Sequence, residues 1–139
     1  MSPLCFFDTN VLVYAADADE PDKQGTAIAL FRRCVDAGAV LLSTQVLQEF
    51  YVTVTRKLAR PLAPPAALEA MMKLAVLPLV TVTVDMIAAA AQLADRSRMS
   101  FWDALVVQAA VAGGAEVLYS EDLNHGSIVD GVRILNPFV

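Results

Sequence analysis

The sequence predicts an α/β fold, a parallel sheet with helices on both faces. Two observations carry this. Short apolar runs alternate with stretches of helical periodicity along the whole chain, which is the pattern of strand–helix–strand units. The apolar runs are also hydrophobic on both faces, as buried parallel strands must be. A third observation sets the scale: with 139 residues and no repeat or linker, the chain is expected to be a single domain over residues 1–139.

Leu4 to Phe7 is the first such run, and Asp8 follows it as a cap for a helix starting at Thr9. Asp17 to Asp22, with Pro21, is expected to be a loop. From Lys23 to Asp36, Ala27, Leu30, Phe31 and Cys34 fall on one helical face, with Gln24, Arg32, Arg33 and Asp36 on the other; Gly38 ends the helix. Val40 to Leu42 is a second strand. Ser43 or Thr44 then caps a long helix through Leu58, with Leu47, Phe50, Val54 and Leu58 as its apolar stripe and Glu49 off the stripe's centre. Pro61, Pro64 and Pro65 break the chain before a helix over Ala66 to Leu74. Leu79 to Val82 is a third strand, and Asp85 precedes an alanine-rich helix to Arg96. Ser100 caps a helix from Phe101 to Ala112, stopped by Gly113 and Gly114. Val117 to Tyr119 and Val132 to Leu135 complete the strands.

Composition narrows the class. The hydrophobic share of 57% exceeds the usual range of about 45–50%, so some apolar surface is expected at a subunit or partner interface. The apolar stretch Leu74 to Val84 contains Pro78 and two threonines and ends at Asp85, so it is no membrane span. No basic segment precedes an apolar run at the N-terminus, and a cytoplasmic location with no signal peptide is expected. Cys5 and Cys34 are expected to be reduced core cysteines. The net charge of −5 argues against binding nucleic acid through overall charge, although a bound metal would invert the local field. Arg56, Lys57 and Arg60 follow Glu49, and Arg96 and Arg98 precede Asp103; solvated helix-end charge accounts for them equally well.

Four acids stand out by their settings: Asp8, Glu49, Asp103 and Asp122. Ligands of open parallel sheets bind beyond the carboxyl ends of the strands. Asp8 and Asp122 each follow a strand there, and Asp103 and Glu49 lie in the early turns of helices that begin at that edge. If the four meet, they form an all-oxygen cage of high negative charge, the chemistry that selects Mg²⁺ or Mn²⁺. Each has a plain alternative. Asp8 and Asp103 can cap helices, Glu49 can be a solvated helix residue and Asp122 a turn residue.

The segments Asp8-Thr9-Asn10-Val11-Leu12-Val13-Tyr14-Ala15, Gln48-Glu49-Phe50, Ser100-Phe101-Trp102-Asp103-Ala104-Leu105 and Ser120-Glu121-Asp122-Leu123 resemble the PIN-domain nucleases, most closely the VapC-type toxins of bacterial toxin–antitoxin pairs. The resemblance spans nearly the whole chain, and the closing run from Gly131 to Pro137 fits it as well. It implies a three-layer α/β/α sandwich around a short parallel sheet. It also implies metal-dependent endoribonuclease activity, with Asp8, Glu49, Asp103 and Asp122 as the acidic site. One or two Mg²⁺ or Mn²⁺ ions would be held there, Asp8 and Asp103 being the first candidates for direct ligands and Glu49 and Asp122 completing the cage, directly or through metal-bound waters. A small antitoxin protein and a homodimer are the implied partners, with RNA as the substrate.

Asn10 and Ser120 are candidates to orient the ligands or a bound water, with turn and capping roles as the alternative. Trp102 is expected in the core rather than as a base-stacking platform. His125, the one histidine, is expected to be a solvated loop residue, which leaves no histidine pair for acid–base catalysis. The rival reading is a non-catalytic PIN-like module that binds RNA or protein. Receiver and haloacid-dehalogenase-like phosphatase readings fail: the final lysine is Lys73, and Asn10 stands where such a phosphatase needs its second aspartate.

Overall fold

The computed structural model describes residues 2–139. The strands are β1 (Cys5–Phe7), β2 (Val40–Ser43), β3 (Leu79–Val80), β4 (Val117–Tyr119), β5 (Ile128–Val129) and β6 (Val132–Leu135). The helices are α1 (Thr9–Ala15), α2 (Pro21–Asp36), α3 (Thr44–Arg56), α4 (Pro64–Ala75), α5 (Val84–Ser97) and α6 (Phe101–Ala112). The sheet order is β3-β2-β1-β4-β6-β5. Every neighbouring pair is parallel except β5 with β6.

β1 sits in the middle of the sheet, between β2 and β4, and is buried along its length. That position explains its Cys-Phe-Phe sequence, because a strand covered by helices on both faces offers no polar side. From β1 the chain builds outward through β2 to β3, then returns to lay β4 on the opposite side of β1. The reversal makes the β1–β4 junction a topological switch point, where the loops beyond the two strands part and leave a crevice.

Several boundaries depart from the sequence expectation. α2 begins at Pro21 and α4 at Pro64, because proline suits the first helical turn, where its missing N–H costs nothing. β3 spans only Leu79 and Val80, since Val82 donates its N–H to the Thr44 hydroxyl instead of to a strand. β5 was not expected. It forms a hairpin with β6 through Asp130 and Gly131, both at positive φ, and makes the sheet mixed. Gly113 ends α6 without left-handed backbone. It is glycine for want of space, since a Cβ there would stand 2.3 Å from the Leu41 side chain; Gly114, at φ +77°, makes the turn. Cys5 and Cys34 are buried and free, as expected. Among the described residues no helix is long and apolar enough to cross a membrane.

Candidate functional site

A cavity of about 450 Å³ opens at the switch point, and Asp8, Glu49, Asp103 and Asp122 all line it. Each acid reaches it from a different element. Asp8 is the first residue after β1 and the N-cap of α1, its Oδ1 accepting the Thr9 N–H at 2.8 Å. Asp122 follows β4. Glu49 lies in the second turn of α3, and Asp103 in the first turn of α6.

Capping and site roles prove compatible. Asp8 caps with one oxygen and leaves Oδ2 for the Ser120 hydroxyl at 2.8 Å. The cap of α6 is made by Ser100, whose Oγ accepts the Asp103 N–H, while the Asp103 carboxylate, against the same hydroxyl, lines the cavity.

Asp8 is held most firmly. It is 5% exposed, and Ser120, which fixes it, is fully buried. Asn10 joins this corner together. Its amide nitrogen donates to Asp122 Oδ2 at 2.9 Å and lies 3.4 Å from Asp8 Oδ2, while its carbonyl oxygen accepts the Glu121 N–H at 3.1 Å. Ser120 Oγ also accepts the Asp122 N–H. Asn10 and Ser120 thus hydrogen-bond in the same corner as both carboxylates. On the other wall, buried Gln45 donates to Glu49 Oε1 and to the Trp102 carbonyl, tying α3 to the start of α6.

The electrostatics follow the geometry. Burial pushes the Asp8 carboxyl up to about 6, helped by the charges of Glu49 and Asp122 and opposed by the Ser120 and Thr9 hydrogen bonds. Burial also raises Glu49, with the Asp103 charge adding to it, and raises Asp103, with Asp122 adding to it. Each carboxylate therefore makes ionisation of a neighbour harder. Lys57 is the one basic side chain on the cavity wall.

The closed cage expected from the sequence is instead an open cavity. Among the described residues no three His, Cys, Asp or Glu side chains are drawn together tightly enough to enclose an ion. Asp122 turns to the Asn10 amide, which supplies part of the positive potential that like charges need. The donor set nevertheless suits a hard divalent ion, being all oxygen and predominantly carboxylate. Thr9 Oγ1, buried at the cavity wall against the Glu49 carboxylate, adds one more oxygen to the set.

Two side chains depart from expectation or add to it. Trp102 is 63% exposed rather than core, because it lies in the first turn of α6, before the stretch from Ala104 to Ala110 where the helix is buried on every side. Tyr14, missed in the sequence, lines the cavity and donates to Glu121 Oε1 at 2.7 Å; Lys23 pairs with the other Glu121 oxygen at 2.6 Å. Residues so distant in sequence leave no local pattern to reveal the cluster. His125 is exposed, as expected, and its Nδ1 accepts the Asn136 N–H.

Several solved structures share this architecture. The VapC20 toxin of Mycobacterium tuberculosis, described as cleaving the sarcin–ricin loop, superposes with a TM-score of 0.66 at 23% identity, covering 85% of this chain and 89% of that one. FitAB bound to a DNA fragment gives 0.73 at 18% identity, covering 98% and 96%. VapBC2 of Rickettsia felis, bound to a fragment of its promoter, gives 0.67 at 14% identity, covering 94% and 96%. No curated protein matches the chain by sequence. At these identities the likeness establishes the fold. The family rests on the chain itself: the model of the PIN domain matches residues 5–129, nearly the full length and all four acids, and the chain belongs to the PIN-domain family.

Proposed function

We propose that this chain is a metal-dependent endoribonuclease and the toxin of a toxin–antitoxin pair. One observation carries the reading: four acids from four separate elements line a single cavity at the switch point of the sheet. Asp8 and Asp103 would hold one or two Mg²⁺ or Mn²⁺ ions, with Glu49 and Asp122 completing the ligand set. An ion bound there supplies Lewis acidity, which brings the pKa of water towards neutrality and offsets charge on the phosphate.

The chain's own residues supply position. Ser120 and the Thr9 N–H fix Asp8, Asn10 spaces Asp8 from Asp122, and Gln45 aims Glu49. Water attacks phosphorus and the P–O3′ bond breaks, the 3′ oxygen leaving and taking up a proton, so the products carry 5′-phosphate and 3′-hydroxyl ends. The partner reading has its own support. An apolar groove of about 220 Å³, lined by Leu12, Phe31, Phe50 and Leu74, lies open at α4. A small antitoxin would cover it. Val84 and Ile87 leave a further apolar strip on α5 for a second copy of the chain.

The test is to incubate the protein with total cellular RNA and Mg²⁺ or Mn²⁺, and to map the new ends. Cuts with 5′-phosphate ends that vanish in EDTA and in Asp8→Asn are expected. Ends bearing 2′,3′-cyclic phosphate would overturn the mechanism. RNA binding without turnover on any substrate would make the protein a binding module instead.

A further inference from the structure

The acidic cavity has a neighbour. A second cavity of about 230 Å³ adjoins it and shares Asp103 and Asp122 as walls. Its remaining polar lining is of a different kind: Ser97, Ser100, Ser127, Asn124 and Arg98, the Ser97 and Ser127 hydroxyls donating to the Leu93 and Asn124 carbonyls and Ser100 Oγ accepting the Asp103 N–H. Each cavity thus has one basic residue in its lining, Lys57 in the first and Arg98 in the second, and the two cavities share Asp103 and Asp122. Among the described residues neither is in an ion pair, a state they share with Arg32, Arg33, Arg56 and Arg133, but those four line neither cavity.

Arg98 is also in an unusual backbone state. It caps α5 in the left-handed conformation, at φ 57°. Glycine or asparagine normally occupies such a position, because a Cβ there is strained. The chain carries a long cation where glycine would be more comfortable, on the wall of a cavity that opens beside the acids.

We propose that the second cavity is a subsite for a nucleotide flanking the cleaved bond of single-stranded RNA. Arg98 holds that nucleotide's phosphate, and Lys57 holds a phosphate on the other side of the acids. This assignment rests on the nuclease reading. An RNA strand crossing carboxylates on a protein of net charge −5 must have its neighbouring phosphates neutralised locally. A guanidinium fork suits phosphate oxygens, and hydroxyl and amide groups suit the ribose.

The test uses the non-cleaving Asp8→Asn protein and the fluorescence anisotropy of a short labelled single-stranded RNA, read across a salt series. Arg98→Gly should weaken binding about tenfold and flatten the slope of log K against log salt by about 0.7, the signature of one lost phosphate contact on a single strand. The same substitution should raise the melting temperature, because it relieves the left-handed strain. Lys57→Ala should weaken binding similarly, and Arg98→Lys should retain most of it. Arg32→Ala, an exposed charge outside both cavities, should change nothing. Unchanged affinity and slope in Arg98→Gly would overturn the subsite while leaving the nuclease intact. An equal loss in Arg32→Ala would reduce the effect to bulk charge and overturn it as well. A parent that binds no RNA, together with a wild type that cuts none, would remove the nuclease reading and the subsite together.

Discussion

The two walls of the acidic cavity are built differently. On the β1–β4 side, Asp8 is buried, accepts from Ser120 and Thr9, and shares Asn10 with Asp122. Asp122 is itself exposed; on the α3–α6 side, Glu49 and Asp103 are partly exposed and rest on helix turns, Glu49 accepting from Gln45 and lying against the Thr9 hydroxyl. The first wall is over-determined and carries an electrostatic cost, while the second is held by its helices and left adjustable. The proposed nuclease would use both, a fixed reference point and a side that can close on the ligand.

The comparison predicts the largest stability effect at Asp8. Its carboxyl sits at about 6 in the folded chain against an ordinary 3.8. The folded state therefore keeps its proton to higher pH than the unfolded state. The stability this gives is full below pH 3.8 and is lost as pH rises through about 6. The shift corresponds to roughly 3 kcal/mol. In EDTA, urea unfolding should show stability falling over that window, and Asp8→Asn should remove most of the fall while abolishing cleavage. A flat profile in the wild type would break the account of this wall.

Ser120→Ala comes next. It deletes the buried donor to Asp8 and the acceptor of the Asp122 N–H, at a cost of about 1–3 kcal/mol. Divalent-ion affinity or activity should fall by about 10–100-fold. Thermal melts and metal titrations check the two parts separately.

Asp103→Asn should behave in the opposite way, losing cleavage while stability changes by no more than about 1.5 kcal/mol, because its side chain is partly exposed and its one hydrogen-bond partner, the Ser100 hydroxyl, can still pair with an amide. A large destabilisation would show that the second wall is as structural as the first. Smallest is Arg60→Ala. The Arg60–Asp19 pair is exposed, and its loss should move stability by less than about 1 kcal/mol.

The same contrast marks what was legible in the sequence. The acids could be read because each sits at a strand end or helix start, positions that apolar runs and capping residues announce. The alternation of strands and helices likewise gave the layers and the edge where the acids meet. What escaped depends on long-range contact. β5 is two residues long and exists only against β6. Tyr14, Lys23 and Glu121 meet across the fold with no shared local pattern. Trp102 was misplaced because an apolar first turn reads as core, although the buried stretch of α6 begins at Ala104. The openness of the cavity could not be read either, since spacing brings acids to an edge without fixing how closely their side chains approach.

The central claim is that the two walls act as one divalent-ion site. Mn²⁺ titration followed by electron paramagnetic resonance tests it directly in wild type, Asp8→Asn and Asp103→Asn. The account predicts binding by the wild type and a clear loss of affinity in both variants, one from each wall. Binding that survives in either variant at wild-type strength, or no binding by the wild type, would contradict it.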